Sequence, residues 1–173
     1  MTKLLFALDG LAKLTMVAAA FCAFGIAFLI LIDVVARNTG HTFVGVPEYV
    51  RNTLIVIIFL QLPYAVRIRS MLSVDIFVDA LPGAARLPIA VFGYFLGVAF
   101  FGALAYGAFE PAVNAWVKGE VEGEGVVDVA AWPARFAIFF GGALAAVLYA
   151  VRVYDVLRTG TVLPHASEIP AAD

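Results

Sequence analysis

Histidine and cysteine are almost missing from this chain, with two of the first and one of the second in 173 residues. A lone Cys22 cannot close an intramolecular disulfide or anchor a metal cluster. His41 falls in a polar turn and His165 in the C-terminal stretch, too isolated to share a ligand. There is no glycine-rich phosphate loop and no nucleophile beside a base. Charge is scarce too, at 14% of residues against about a quarter in soluble domains. It vanishes from four stretches, 14–32, 52–66, 87–109 and 136–151. Proteins that carry an ion or polar solute through a bilayer keep ionisable groups at membrane depth, and these stretches keep none. The net charge of −2 gives no argument for nucleic acid.

What is there is apolar surface. The chain is 64% hydrophobic, with mean hydropathy +1.00. The excess over a soluble core is surface for lipid, and the four uncharged stretches read as membrane spans. The first is too long for the apolar part of a cleaved signal peptide, and Phe21 before Cys22 suits lipoprotein cleavage poorly. It is read as a retained anchor helix.

The expected fold is all-α: one compact membrane domain over 1–158, with spans at about 11–37, 47–67, 86–109 and 130–153. A short amphipathic helix is expected at about 70–82, between spans two and three, lying in the interface. Residues 159–173 read as a flexible cytoplasmic tail. Asp33 and Arg37 share a helix face four residues apart, as an interfacial ion pair or a contact to a partner. Span two opens on Pro47 and Glu48, residues that suit a helix start. Its uncharged part covers only about 22 Å of helix, short of a hydrocarbon core of roughly 30 Å. Glu48 and Arg51 must therefore lie at one interface and Arg67 snorkel at the other, unless they face protein.

Gln61 is a candidate interhelical hydrogen-bonder, and Pro63 a kink. Small residues at intervals of four give candidate packing positions, Gly93, Gly97 and Ala103 in span three and Gly142 and Ala146 in span four. The loop over 110–128 holds five carboxylates against one lysine and reads as solvated and acidic. Lys3, Lys13, Arg67, Arg69, Arg86, Arg152 and Arg158 outnumber the cations on the opposite side, Arg37, Arg51, Lys118 and Arg135. The positive-inside rule then puts both termini in the cytoplasm.

The order of residues carries a resemblance. Asp33-Val-Val-Ala-Arg37 closes the first span, Val46-Pro-Glu-Tyr-Val-Arg51 opens the second, Tyr64-Ala-Val-Arg67 ends it, and Met71-Leu-Ser-Val-Asp75-Ile follows. This resembles the small integral-membrane subunit, DctQ-type, of tripartite ATP-independent periplasmic (TRAP) transporters. Arg37, Glu48, Arg67, Val74 and Asp75 match that family's pattern in order and approximate spacing. Tyr49 stands where a second Glu is common, Gln61-Leu-Pro63 replaces a Gly-Ala-Ala stretch, and Met71 stands where His is frequent. The motifs lie within 33–79, and the four-span plan covers the chain.

The resemblance implies a noncatalytic subunit of the inner membrane, with no cofactor of its own. It would pair as scaffold with a large multi-span subunit that holds the sodium and substrate sites. A periplasmic binding protein would deliver an organic acid anion to that pair, with the acidic loop a candidate docking surface. Arg37, Glu48, Arg51, Arg67 and Asp75 become candidate positions of the family motif or of partner contact. Three alternatives stand beside it. One is the small subunit of a tricarboxylate-type tripartite transporter. Another is a membrane enzyme using Asp75, Asp79 and Arg67 near lipid headgroups, and the third a homo-oligomer packed through Gly93 and Gly97.

Overall fold

The computed structural model describes residues 2–40, 45–68, 83–122 and 128–160. Four helices make up nearly all of it: α1 Thr2–Asn38, α2 Val46–Arg67, α3 Gly83–Lys118 and α4 Trp132–Thr159. Each is long and apolar enough to cross a membrane. The expected interfacial helix at 70–82, with Asp75 and Asp79, and the tail beyond 160 lie outside the described residues.

Local chemistry sets the ends. Gly45, at φ 92°, makes the left-handed turn into α2, with a proline in the helix's first turn. Gly160, at φ 64°, ends α4, and its N–H donates to the Val156 carbonyl at 2.9 Å. α3 does not stop near Glu110, as its charge suggested, but runs on to Lys118 through Pro111. The Arg135 side chain, Nη1 at 3.3 Å, donates to the Pro111 carbonyl and ties this extension to α4.

The helices do not close into a square bundle. α1 packs on α2, α2 on α4, and α4 on α3, so α1 and α3 flank a central pair. The faces of α1 and α3 turned away from that pair carry exposed bulky side chains, among them Phe21, Phe24, Phe92, Phe95 and Tyr106. The four helices thus form a row about one shared cluster. The main buried cluster joins Val66 of α2 to Leu144, Ala145 and Leu148 of α4, with Leu8 and Leu11 of α1 and Phe101 of α3 against it.

Pro63 lies one turn from a close approach of α2 to α4. It is fully buried inside α2, and the helix continues past it to Arg67. A proline has no N–H to give the carbonyl four residues earlier, so Phe59 loses its usual helical donor. The Phe59 carbonyl faces Gly141 of α4, where an added Cβ would collide with the oxygen and lie 2.8 Å from the carbon. Glycine lets the two backbones approach, a geometry in which Cα–H groups give weak hydrogen bonds.

Candidate functional site

The described charges gather at the two ends of the row. At the end holding the N-terminus, Arg67 closes α2 and forms a two-pronged pair with Asp9 of α1, its Nη2 reaching Asp9 Oδ2 at 2.6 Å. Two parallel bonds suit the planar guanidinium and a carboxylate. Arg152 of α4 donates from Nη2 to the Arg67 carbonyl at 2.7 Å. That carbonyl belongs to the last turn of α2, where helical acceptors lack internal donors. One arginine thus connects three helices, and it pairs with protein where a snorkelling side chain was one expectation.

At the opposite end the chain folds back on itself. Val121–Glu122 and Val129–Ala130 pair as an antiparallel ribbon, Val121 opposite Ala130 and Glu122 opposite Val129. Asn52 of α2 is buried and donates from Nδ2 to the Ala130 carbonyl at 2.8 Å. Arg135 pairs with Glu120 and lies 3.6 Å from Glu122, which Arg51 approaches at 3.5 Å from the other side. The stretch read as a solvated acidic loop is therefore partly neutralised and tied to α2 and α4, because two arginines face its carboxylates. Trp116, Trp132 and Phe136 form an edge-to-face cluster beside it, with Trp116 and Trp132 centred 5.0 Å apart. Aromatic rings of this kind suit a membrane–water boundary.

The motif candidates divide between these ends. Arg37 is exposed and pairs with buried Asp33 at 2.9 Å. Glu48 sits in the first turn of α2, one of its oxygens buried without a hydrogen bond, as are Asp33 Oδ1 and Asn52 Oδ1. Arg51 binds the ribbon, Arg67 lies at the far end, and Asp75 is outside the described residues.

The packing candidates divide as well. A Cβ on Gly97 would press within 2.9 Å of the Tyr149 ring, which stacks on Phe101, whereas a Cβ on Gly93 would meet nothing within 4 Å. Gly142 is buried, and its Cβ would lie 3.6 Å from Ala105. Ala146 is half-buried, and Ala103 and Gln61 are exposed. Asp9, Asn52 and Gly141 went unsingled in the sequence. For Gly141 a signal existed, since a proline inside a span frees a carbonyl that needs a small neighbour.

The middle of every described helix is free of Asp, Glu, Lys and Arg, and no group of three or more His, Cys, Asp or Glu among the described residues could hold a metal ion. The ion pairs at both ends tie the helices together. Comparison with curated proteins and with solved structures gave no match. The family model of the DctQ component of tripartite ATP-independent periplasmic transporters matches residues 26–159, most of the chain. That selects the DctQ type over the tricarboxylate-type alternative, and the family is a transporter component, not an enzyme. The chain therefore belongs to the DctQ family, the small multi-pass inner-membrane subunits of TRAP transporters.

Proposed function

We propose that this chain is the stationary, noncatalytic half of a two-part membrane carrier. It pairs with the large multi-span subunit of its transporter, and a periplasmic binding protein delivers an organic acid anion to that pair. Sodium coupling and substrate binding belong to the large subunit. One observation carries the reading: membrane-depth helix without charge between two ends clamped by ion pairs. Such a row can brace a moving neighbour but gives an anion nothing to bind. The amphipathic 70–82 segment would lie in the interface beside it, with both termini in the cytoplasm.

The Glu120 and Glu122 pairs bear on docking of the binding protein. With those two carboxylates engaged by arginines, the acidic stretch offers less free charge than its composition implies. Glu110 and Asp128 remain exposed for that role.

Extraction in mild detergent, followed by affinity capture of this chain and mass identification of what accompanies it, tests the pairing. The expected result is one much larger multi-span membrane protein in fixed ratio to this chain. Recovery of the chain alone, or only with copies of itself, would contradict the reading.

A further inference from the structure

α2 packs against α1 on one side and α4 on another, and a third side of it is open. Arg51, Leu54, Ile58, Gln61 and Ile68 are exposed there, with half-buried Ala65 between the last two. The steps between these residues alternate between three and four, so they form one continuous stripe along the helix. From Arg51 to Ile68 the stripe runs about 26 Å, close to the roughly 30 Å of a hydrocarbon core.

Leu54 and Ile58 could face lipid without cost, but Gln61 could not. The stretches 14–32, 52–66, 87–109 and 136–151 hold two amide side chains, Asn52 and Gln61. Asn52 is buried and donates to the Ala130 carbonyl. Gln61 is exposed, and no described residue hydrogen-bonds to its amide. It stands six residues from Arg67 and ten from Arg51, about 9 and 15 Å along the helix. Helical side chains lean toward the N-terminus. This one therefore leans away from the Arg67 boundary and into membrane depth. Lipid tails offer an amide neither donor nor acceptor, and leaving one unpaired in hydrocarbon is costly. The outer faces of α1 and α3 carry Phe21, Phe24, Phe92 and Phe95, which lipid covers at no such cost.

We propose that this stripe of α2 is the seam that receives a transmembrane helix of the large subunit, with a polar side chain of that helix hydrogen-bonded to Gln61. It rests on the pairing of the two subunits proposed above and assigns that pairing to one face. A second copy of this chain fits the stripe poorly. Copies share one orientation in the membrane, so two stripes meeting about a two-fold axis run parallel and set Arg51 against Arg51. The Arg51 side chain is 68% exposed, and its Glu122 contact is as long as 3.5 Å. Like charges facing one another there would repel. The helix that fits is apolar along the seam, places one polar group opposite Gln61 and presents no cation at the level of Arg51.

Competition for the large subunit tests this. Full-length wild-type and variant chains with different tags are co-expressed with a limiting amount of the large subunit, and the captured ratio is read by mass spectrometry. Gln61→Leu removes the amide and keeps the apolar stem, and should be captured about three- to tenfold less than wild type. Ile58→Trp puts bulk on the seam and should lose about tenfold or more. Gly93→Leu, at a glycine of α3 with open space around it, should compete like the wild type. Circular dichroism should show equal helicity in all three variants, separating loss of the seam from loss of the fold. A photoreactive probe carried by Ile58→Cys, in a Cys22→Ala background, should join this chain to the large subunit. Capture of Gln61→Leu and Ile58→Trp equal to wild type would overturn the seam and leave the pairing intact. Crosslinks from position 58 only to lipid or to a second copy of the chain would overturn it too. A wild-type chain that captures no large subunit would overturn both the pairing and the seam.

Discussion

Replacing Gly141 by leucine should separate α2 from α4 and cost more stability than any other single change in the row. The residue faces a backbone carbonyl, which cannot swing aside as a side chain can. Overpacking a tight core costs about 1–3 kcal/mol, and the upper part of that range is expected here. Gly141→Ala should already be harmful, because even a methyl group collides with the Phe59 oxygen. Gly93→Leu and Gly102→Leu meet open space and should stay within about 0.5 kcal/mol of wild type. Thermal unfolding in a fixed detergent, followed by circular dichroism, ranks the four. The role of Pro63 is testable in the same series. Pro63→Ala restores an N–H near the Phe59 carbonyl, so its cost and that of Gly141→Ala should not add, with an interaction energy of about 0.5 kcal/mol or more. Strict additivity would show that the carbonyl freed by proline is not what Gly141 accommodates.

Arg67→Gln should give the second-largest loss. It leaves the Asp9 carboxylate facing the membrane boundary without its two-pronged partner, and it removes the side chain that joins α1 to α2. Breaking a fully buried pair costs about 3–5 kcal/mol. The two side chains here are 42% and 30% exposed, so solvent screening brings the expected loss to about 1–2 kcal/mol. Asp9→Asn should cost less, because the Arg67 guanidinium can reach water. A double-mutant cycle over both positions, read by unfolding in detergent, should return a coupling of about 1 kcal/mol. A coupling near zero would mean that α1 is held by Leu8 and Leu11 against the core and not by the ion pair.

The spans were legible because a bilayer excludes charge, so gaps in the charge pattern mark membrane depth without any knowledge of tertiary contacts. The Asp33–Arg37 pair was legible for a similar reason, since residues four apart on a helix meet whatever surrounds them. Contacts between distant segments were not. Asp9 and Arg67 lie 58 positions apart, and Asn52 and Ala130 lie 78 apart. Nothing local announces either. The helix order, with α2 and α4 in the middle, decides which small residues are buried, and a stripe of glycines does not reveal its partner. Gly93 and Gly97 look equivalent in the sequence, yet only Gly97 faces Tyr149. Gly141 and Gly142 are neighbours, but a turn of about 100° sends the first toward α2 and the second toward α3. The extension of α3 past Glu110 to Lys118 was not legible, because an exposed carboxylate does not stop a helix whose outer turn is tied down by Arg135.

The candidate motif or partner-contact residues Arg37, Glu48, Arg51 and Arg67 stand at the ends of helices, and three of them are in ion pairs within this chain. Their structural work in the described chain is to hold helix ends together. In a row open between α1 and α3 each outer helix has fewer neighbours, so such clamps bear more of its stability.

Reconstituted uptake is the most direct measurement of the central claim that this chain supports transport without performing it. Liposomes holding this chain alone, the large subunit alone, or both are given the binding protein, a sodium gradient and a labelled organic acid. The account predicts uptake only where both membrane subunits are present, and none by this chain alone. Sodium-driven uptake by liposomes that contain this chain and lack the large subunit would contradict it.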